Sequence, residues 1–229
     1  MTKNHLKRIN MPRTWQVKRK GIQFVTRPNP GQSSFLLGTS LTVLLRDILG
    51  AAKTLKEVKY ILNNGEVAVN TVIRKEPRFI VGFFDVISLP KIKKDYRIIL
   101  NNKGKISLIE IDGKEADIKL IKITGKSFVK GKLQLNLSDG RNILTDKKEC
   151  KVGETIVFNM KKKEIIDILK LEKGACIFLI RGKHLGEEGK ITNIHDINIT
   201  YKNENGEPVE TRKKYAIVIG KDKSLIKLK

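Results

Sequence analysis

The sequence predicts an α+β chain of several domains: an extended basic N-terminal arm, a small helical/β module, an antiparallel β middle domain and a further small β unit at the C-terminal end. Three observations carry this expectation. The opening residues are basic and broken by prolines, with no sustained strand or helix period. Residues 41–62 then carry apolar stripes at helical spacing. From Tyr96 onward, short alternating segments separated by glycine-containing turns dominate.

Before the first acidic residue, Asp47, stand Lys3, Lys7, Arg8, Arg13, Lys18, Arg19, Lys20, Arg27 and Arg46, with Pro12, Pro28 and Pro30 among them. Pro28 and Pro30 both oppose a helix around Asn29. Residues 1–40 therefore read as an arm that is disordered alone, because its charge is unmatched and its apolar residues are too few for a core of their own. A merely solvated tail is the plain alternative. Trp15, Phe24 and Phe35 are interleaved with the charges, and aromatics so placed suit stacking on bases or riboses. On this reading Trp15 is solvent-exposed in the free protein and the arm orders against its partner.

The charge balance names the class of that partner. Lys and Arg number 47 against 24 Asp and Glu, a formal net charge of +23. Self-repulsion of that size destabilises a compact state unless a polyanion supplies counter-charge. A membrane surface would call for a long apolar stretch or a basic amphipathic helix, and the apolar runs, such as Ala175–Ile180, are short. The basic N-terminus is not followed by the apolar region of a secretory signal. Nucleic acid is the favoured partner, with no membrane and no small-molecule substrate, in a cytoplasmic protein. Cys150 and Cys176 lie far apart outside any metal-binding spacing and read as buried small apolar residues.

Leu41, Leu44, Leu45, Ile48 and Leu49 form the stripe of a core-facing helix. Thr54-Leu55-Lys56-Glu57 is a capping-box signature for a second helix, which is expected to bury Leu55, Val58, Ile61 and Leu62 and to end at Asn63-Asn64-Gly65. Lys53, Lys56 and Lys59 fall on its opposite face. Glu66–Asn70 alternates as a strand, Val72-Ile73 follows a tight turn, a basic turn brings Arg74, Lys75 and Arg78, and Val86–Leu89 is the next strand. Further strands are expected at Tyr96–Leu100, Lys105–Ile111, Asp117–Ile123, Lys132–Leu137, Arg141–Leu144, Thr155–Phe158 and Glu164–Leu169. Asn102-Lys103-Gly104, Asp112-Gly113 and Asp139-Gly140 are read as hairpin-type turns between them, in one small barrel or sandwich. Glycines at 182, 186 and 189 punctuate Ile180–Ile191, and Asn205-Gly206 supplies a hairpin between Ile199–Tyr201 and Tyr215–Ile219.

Helix–helix–strand–turn–strand, with Ile61-Leu62-Asn63 and Gly65 leading to Val67, Val69 and Asn70, resembles the S-four RNA-binding domain over Leu41–Leu89. The pattern's usual glycine after Asn70 is Thr71 here, and a β-branched residue opposes positive φ. Ile180–Ile191 resembles the KOW motif of a small SH3-like barrel, against the plain reading of a Gly-rich turn. The whole order resembles the archaeal and eukaryotic small-subunit ribosomal protein S-four-e family. Its specific pieces are His5-Leu6-Lys7-Arg8, Pro12 with Trp15, Arg19-Lys20, Arg27–Gly31, Val43–Ala51, Gly82 with Asp85–Ser88, Leu133–Leu137, Asp139–Asn142 and Gly182–Ile191. Gln32-Ser33-Ser34 departs from the expected Pro-His. Length and the lack of a eukaryotic C-terminal extension favour an archaeal member.

The resemblance implies a structural constituent of the small ribosomal subunit that binds rRNA beside neighbouring ribosomal proteins, without catalysis, cofactor or metal. The expected domains are 1–40 (arm), 41–94 (S-four type), 95–172 (central β) and 173–229 (KOW barrel with tail). The expected RNA contacts are His5, Lys7, Arg8, Arg13, Trp15, Lys18, Arg19, Lys20, Arg27, Arg46, Lys53, Lys56, Lys59, Asn70, Arg74, Lys75, Arg78, Arg181, Lys183 and His184. The alternatives are a KOW-bearing transcription or translation factor that visits RNA transiently and an RNA-modifying enzyme tethered by an S-four module; the chain after Pro90 leaves little room for a catalytic domain. Gly125-Lys126-Ser127 mimics the end of a P-loop, but Leu120 stands where the first glycine belongs, so it is read as a turn. The three histidines share no metal-ligand spacing.

Overall fold

The computed structural model describes residues 4–145, 150–203 and 206–228. Lys3 of the basic segment and Asn205 of the expected hairpin turn lie outside them. The described residues are mostly β with few helices and divide into two compact units, one formed by the chain up to Leu100 with Gly104–Asp117, the other by Asn101–Lys103 with the chain from Ile118 onward. Among the described residues no helix is long and apolar enough to cross a membrane.

In the first unit the N-terminal segment is folded, which corrects the expectation of a disordered arm. Strands β1 (Leu6–Lys7) and β2 (Phe24–Val25) pair antiparallel. Leu6, Met11, Trp15 and Val25 are buried, Trp15 to 2% exposure, and its indole N–H donates to the Gly38 carbonyl at 2.9 Å. The apolar residues that could not form a core by themselves complete one with the rest of the unit. Two arginines brace the connecting loop: Arg8 donates to the Lys18 carbonyl at 3.0 Å, and Arg19 to the carbonyls of Ile9 and Met11 at 3.0 and 3.3 Å.

Strand β3 (Gly38–Ser40) leads into α1 (Leu41–Val43), capped by the Ser40 hydroxyl, which accepts from the Val43 amide. The coil then widens into a π-helical stretch, Leu44–Ile48. Leu41, Leu44 and Leu45 are fully buried as the stripe predicts. Helix α2 (Leu55–Asn63) begins at the expected capping box: Thr54 accepts from the Glu57 amide at 3.3 Å, and the Glu57 carboxylate accepts from the Thr54 hydroxyl and the Lys53 amide. That amide, then the Thr54 hydroxyl, holds the Glu57 carboxyl below the ordinary carboxylate range. Gly65, at φ 71°, ends the helix with its N–H on Leu62 and the Glu66 N–H on Ile61, a Schellman arrangement. Val58 and Leu62 are buried, but Leu55, in the first turn, is 39% exposed, contrary to expectation.

Strands β4 (Ala68–Val69), β5 (Val72–Ile73), β6 (Ile80–Gly82), β7 (Val86–Leu89), β8 (Lys94–Leu100) and β9 (Ile106–Ile111) follow. β6 pairs with β3, and the others form one antiparallel sheet in the order β5-β4-β7-β8-β9. The expected boundary between residues 94 and 95 thus falls inside a continuous sheet, because β8 pairs with β7 from Leu89↔Lys94 to Val86↔Arg97. Asn70 and Thr71 both take positive φ, 51° and 69°, in a two-residue turn of type I′. A buried network holds Thr71 in that conformation: the Asn70 amide group donates to Asp85 at 2.7 Å and accepts from the Val86 amide, while Asp85 also accepts from Gly82 and Gln32.

Asp112-Gly113 is not a hairpin turn. It opens a helical turn, α3 (Gly113–Ala116), whose Glu115 and Ala116 amides donate to the Asp112 carbonyl. The fully buried Arg97 holds it, pairing with the Glu115 carboxylate and donating to the Glu115 carbonyl at 3.0 Å. Burial pushes the Arg97 guanidinium down to about 10.

The second unit contains two five-stranded antiparallel sheets. Its strands are β10 (Ile118–Val129), β11 (Lys132–Leu137), β12 (Asn142–Thr145), β13 (Thr155–Asn159), β14 (Glu164–Leu169), β15 (Cys176–Leu179), β16 (Glu188–Ile194), β17 (Asn198–Asn203), β18 (Pro208–Arg212) and β19 (Ala216–Gly220). The orders are β12-β11-β10-β13-β14 and β18-β17-β16-β15-β19. Gly125-Lys126-Ser127 lies within β10 rather than in a turn, just beyond a register shift after Ile123. β17 pairs with β18, a strand not foreseen, rather than with β19. The first sheet packs on a core that includes Ile121, Leu135, Ile156 and Cys150. Cys150 and Cys176 are buried free thiols, as expected.

Candidate nucleic-acid interface

The expected contact residues divide sharply by burial. Arg8, Trp15 and Asn70 are 8%, 2% and 5% exposed and use their polar groups inside the first unit, so they are structural there rather than free to contact RNA. Lys7, Arg13, Lys18 and Lys20 remain exposed, and Arg19, though exposed, is engaged with backbone carbonyls.

Four expected residues that lie far apart in sequence are brought together. Pairing of β1 with β2 sets the His5 ring edge-on to Phe24 at 5.7 Å. Arg78 reaches the same place from the loop before β6: its Nε donates to the Arg27 carbonyl at 3.1 Å, and the Asn29 amide donates to the Arg78 carbonyl at 2.8 Å. Arg46, from the π-helical stretch, completes a cleft of about 290 Å³ lined by His5, Phe24, Arg27, Arg46 and Arg78 with Asn4. No carboxylate lines it. Asp47 is ion-paired with Arg46 at 2.8 Å, and among the described residues Arg27 and Arg78 form no ion pair. The Arg27 guanidinium also sits 5.9 Å from the Phe35 ring. Guanidinium groups around a concave, aromatic-edged floor suit phosphate oxygens and the flat faces of bases or riboses. Asn4 and Phe24 were absent from the expected contacts; Phe24 was visible as an aromatic among charges, but only strand pairing places it beside His5.

Beyond the cleft the same unit carries a basic surface. Lys53, Lys56 and Lys59 are all exposed on or beside α2, opposite buried Val58 and Leu62, and Lys75 is exposed in the loop after β5. Arg74 is half-buried, with its guanidinium 4.5 Å from the Phe79 ring.

In the second unit, Arg181 and Lys183 are exposed in the loop between β15 and β16. His184 is not free: its Nδ1 lies 2.9 Å from Glu187, whose other carboxylate oxygen accepts from the Tyr201 hydroxyl at 3.2 Å. Burial, then the adjacent Glu187 charge, pushes the Tyr201 phenol upward. The backbone approach expected of the glycines occurs at Gly189, where a Cβ would stand 2.4 Å from the Tyr201 ring and from the Lys202 carbonyl oxygen. Among the described residues no group of three or more His, Cys, Asp or Glu side chains is placed to hold a metal.

Comparison with known proteins shows the family of the chain. The model described as ribosomal family S4e matches residues 92–165, and that of the RS4NT domain matches residues 2–31. The small ribosomal subunit protein eS4 of Methanosphaera stadtmanae is 40% identical over 99% of this chain and 96% of its own length. That of Archaeoglobus fulgidus is 38% identical over 100% and 99%. The crystal structure of the 30S ribosomal protein S4e from Thermoplasma acidophilum superposes with a TM-score of 0.70 at 29% identity, covering 80% of this chain and 95% of that one. With relatives of that identity aligned end to end, the chain belongs to the small ribosomal subunit protein eS4 family.

Proposed function

We propose that the chain is a structural constituent of the small ribosomal subunit, located in the cytoplasm, that binds rRNA with the basic surface of its first unit. The observation that carries this is the carboxylate-free cleft where Arg27, Arg46 and Arg78 converge beside Phe24 and His5. The same unit also exposes Lys53, Lys56, Lys59 and Lys75, and Lys7, Arg13, Lys18 and Lys20 in its N-terminal segment. Membership of the eS4 family supports the assignment, since its relatives are named for the small subunit. Within this reading the segment from Leu41 is an S-four-type module whose sheet extends to β9, and β15–β19 form the KOW unit, presenting Arg181 and Lys183. Neighbouring ribosomal proteins are its other partners, and its role needs no catalysis.

The deciding experiment is gradient co-sedimentation, with one copy per small subunit expected and a substoichiometric association overturning the structural role. Two further outcomes follow from electrostatics. About 6–10 phosphate contacts imply a ~10³–10⁵-fold loss of rRNA affinity between low and moderate salt, so a flat log–log plot would contradict the reading. The double change Lys56→Glu, Lys59→Glu should weaken rRNA binding while shifting stability by only about 0.5 kcal/mol per site, because both side chains are exposed. Unchanged affinity in that variant would mean that this helix face is only solvated.

A further inference from the structure

The hairpin of β10 and β11 outruns its own sheet. The two strands pair from Ile123↔Leu137 to Val129↔Lys132, whereas β13 accompanies β10 only along Ile118–Lys122 and β12 accompanies β11 only along Leu133–Asn136. Among the described residues, the final rung, Val129↔Lys132, therefore stands beyond both neighbouring strands, and Phe128 pairs only with β11. The tip is closed by Lys130 and Gly131 at φ 50° and 79°, a two-residue turn of type I′ whose twist matches the strands.

Leu144 and Ile166 of the same sheet are exposed, but among its described residues only the tip exposes an aromatic ring. Phe128 is paired with the buried Leu133, yet it is itself 72% exposed, because the core under Leu133 and Leu135 does not reach it. Val129 is 40% exposed. Lys126, Lys130 and Lys132 surround them, all exposed, and no Asp or Glu occurs anywhere from Ile118 to Ser138. A hairpin tip with a bare ring among exposed lysines could meet a protein or a nucleic acid. Protein interfaces are depleted in lysine, whereas aromatic rings interleaved with cations are the common means of holding unpaired nucleotides.

We propose that this hairpin is a second RNA-contacting element, with Phe128 stacked on an unpaired rRNA base and Lys126, Lys130 and Lys132 against the flanking phosphates. The proposal rests on the rRNA-binding role proposed above but uses none of the residues assigned there, so the two can fail separately. Lys126 is available to a phosphate, since the Cys150 carbonyl holds its ammonium only at a long 3.4 Å.

The test titrates the full chain, Phe128→Ala, Phe128→Trp and the double change Lys130→Gln, Lys132→Gln against small-subunit rRNA over a salt series. Removing the ring should weaken binding roughly 5–150-fold, the range for one base–aromatic stack. Phe128→Trp should restore it. The double change should lower the log–log salt slope by about 2. All variants should melt with the parent, because the altered side chains lie outside the core. A parent that binds while every variant matches it in affinity and slope overturns the proposal alone; a parent that does not bind overturns the wider reading and this one with it. If the variants bind naked rRNA as the parent does but fail to enter subunits assembled with the full protein complement, the tip contacts a protein, and the RNA assignment is overturned.

Discussion

Trp15→Ala is expected to destabilise the first unit by about 3–5 kcal/mol, the range for emptying a large buried aromatic site. The ring is 2% exposed, lies 5.8 Å from Phe35, and its N–H is satisfied by Gly38. Truncation therefore opens a cavity and also orphans the Gly38 carbonyl. Calorimetry of parent and variant measures the loss. Because Trp15 is the only tryptophan, fluorescence gives an independent reading: emission of the free protein should already be that of a buried indole and should change little on adding rRNA. An exposed-type spectrum that shifts only with RNA would reinstate the disordered arm that composition suggested.

The second large effect is a pH dependence centred on Lys122. Its side chain, 7% exposed, leaves β10 to donate to the carbonyls of Lys213 and Ala216 at 2.7 and 2.6 Å. Burial pushes its ammonium down to about 8 from 10.5, outweighing whatever those two carbonyls return to the charged form. Below about pH 8 both folded and unfolded chains carry the proton, and the burial cost is fully present. Between about 8 and 10.5 the unfolded chain holds a proton that the folded one has released, so stability rises with pH. The gain is about 3 kcal/mol across that window. Denaturant melts of the parent and Lys122→Met at pH 7.5 and near pH 10.5 isolate it from the other lysines. The parent should gain on the variant at the higher pH; an unchanged gap between them would contradict the account.

Much of the β architecture was legible because short-range rules settle it. The strands Lys132–Leu137 and Glu164–Leu169 occur at the expected residues, and the first alternates between buried and more open positions as its pleat requires. The capping box at Thr54 and the left-handed glycine at Gly65 likewise depend on atoms a few residues apart. Failures came where a distant partner decides. Gly125–Ser127 reads as a turn until β11 pairs with it, and Asp112-Gly113 reads as a hairpin until Arg97 draws Glu115 inward. The N-terminal segment looks too polar to fold until Gly38 and its surroundings bury Trp15. For the same reason charge picked out the cleft's arginines without placing Arg78 beside His5, and no local signal showed that the Asn70 side chain turns inward to Asp85.

The cross-bracing of the N-terminal loop by Arg8 and Arg19 bears on the thermodynamics and speed of docking. A segment that folded only on its target would add its own core burial to the binding reaction, giving a large negative heat-capacity change and an ordering cost of about 2–5 kcal/mol. Here Leu6, Met11, Trp15 and Val25 are dehydrated before any encounter. Only the contact surface then contributes to the heat capacity, so affinity should vary gently with temperature, and encounters with rRNA proceed between preformed shapes at a rate governed by charge steering rather than by chain folding.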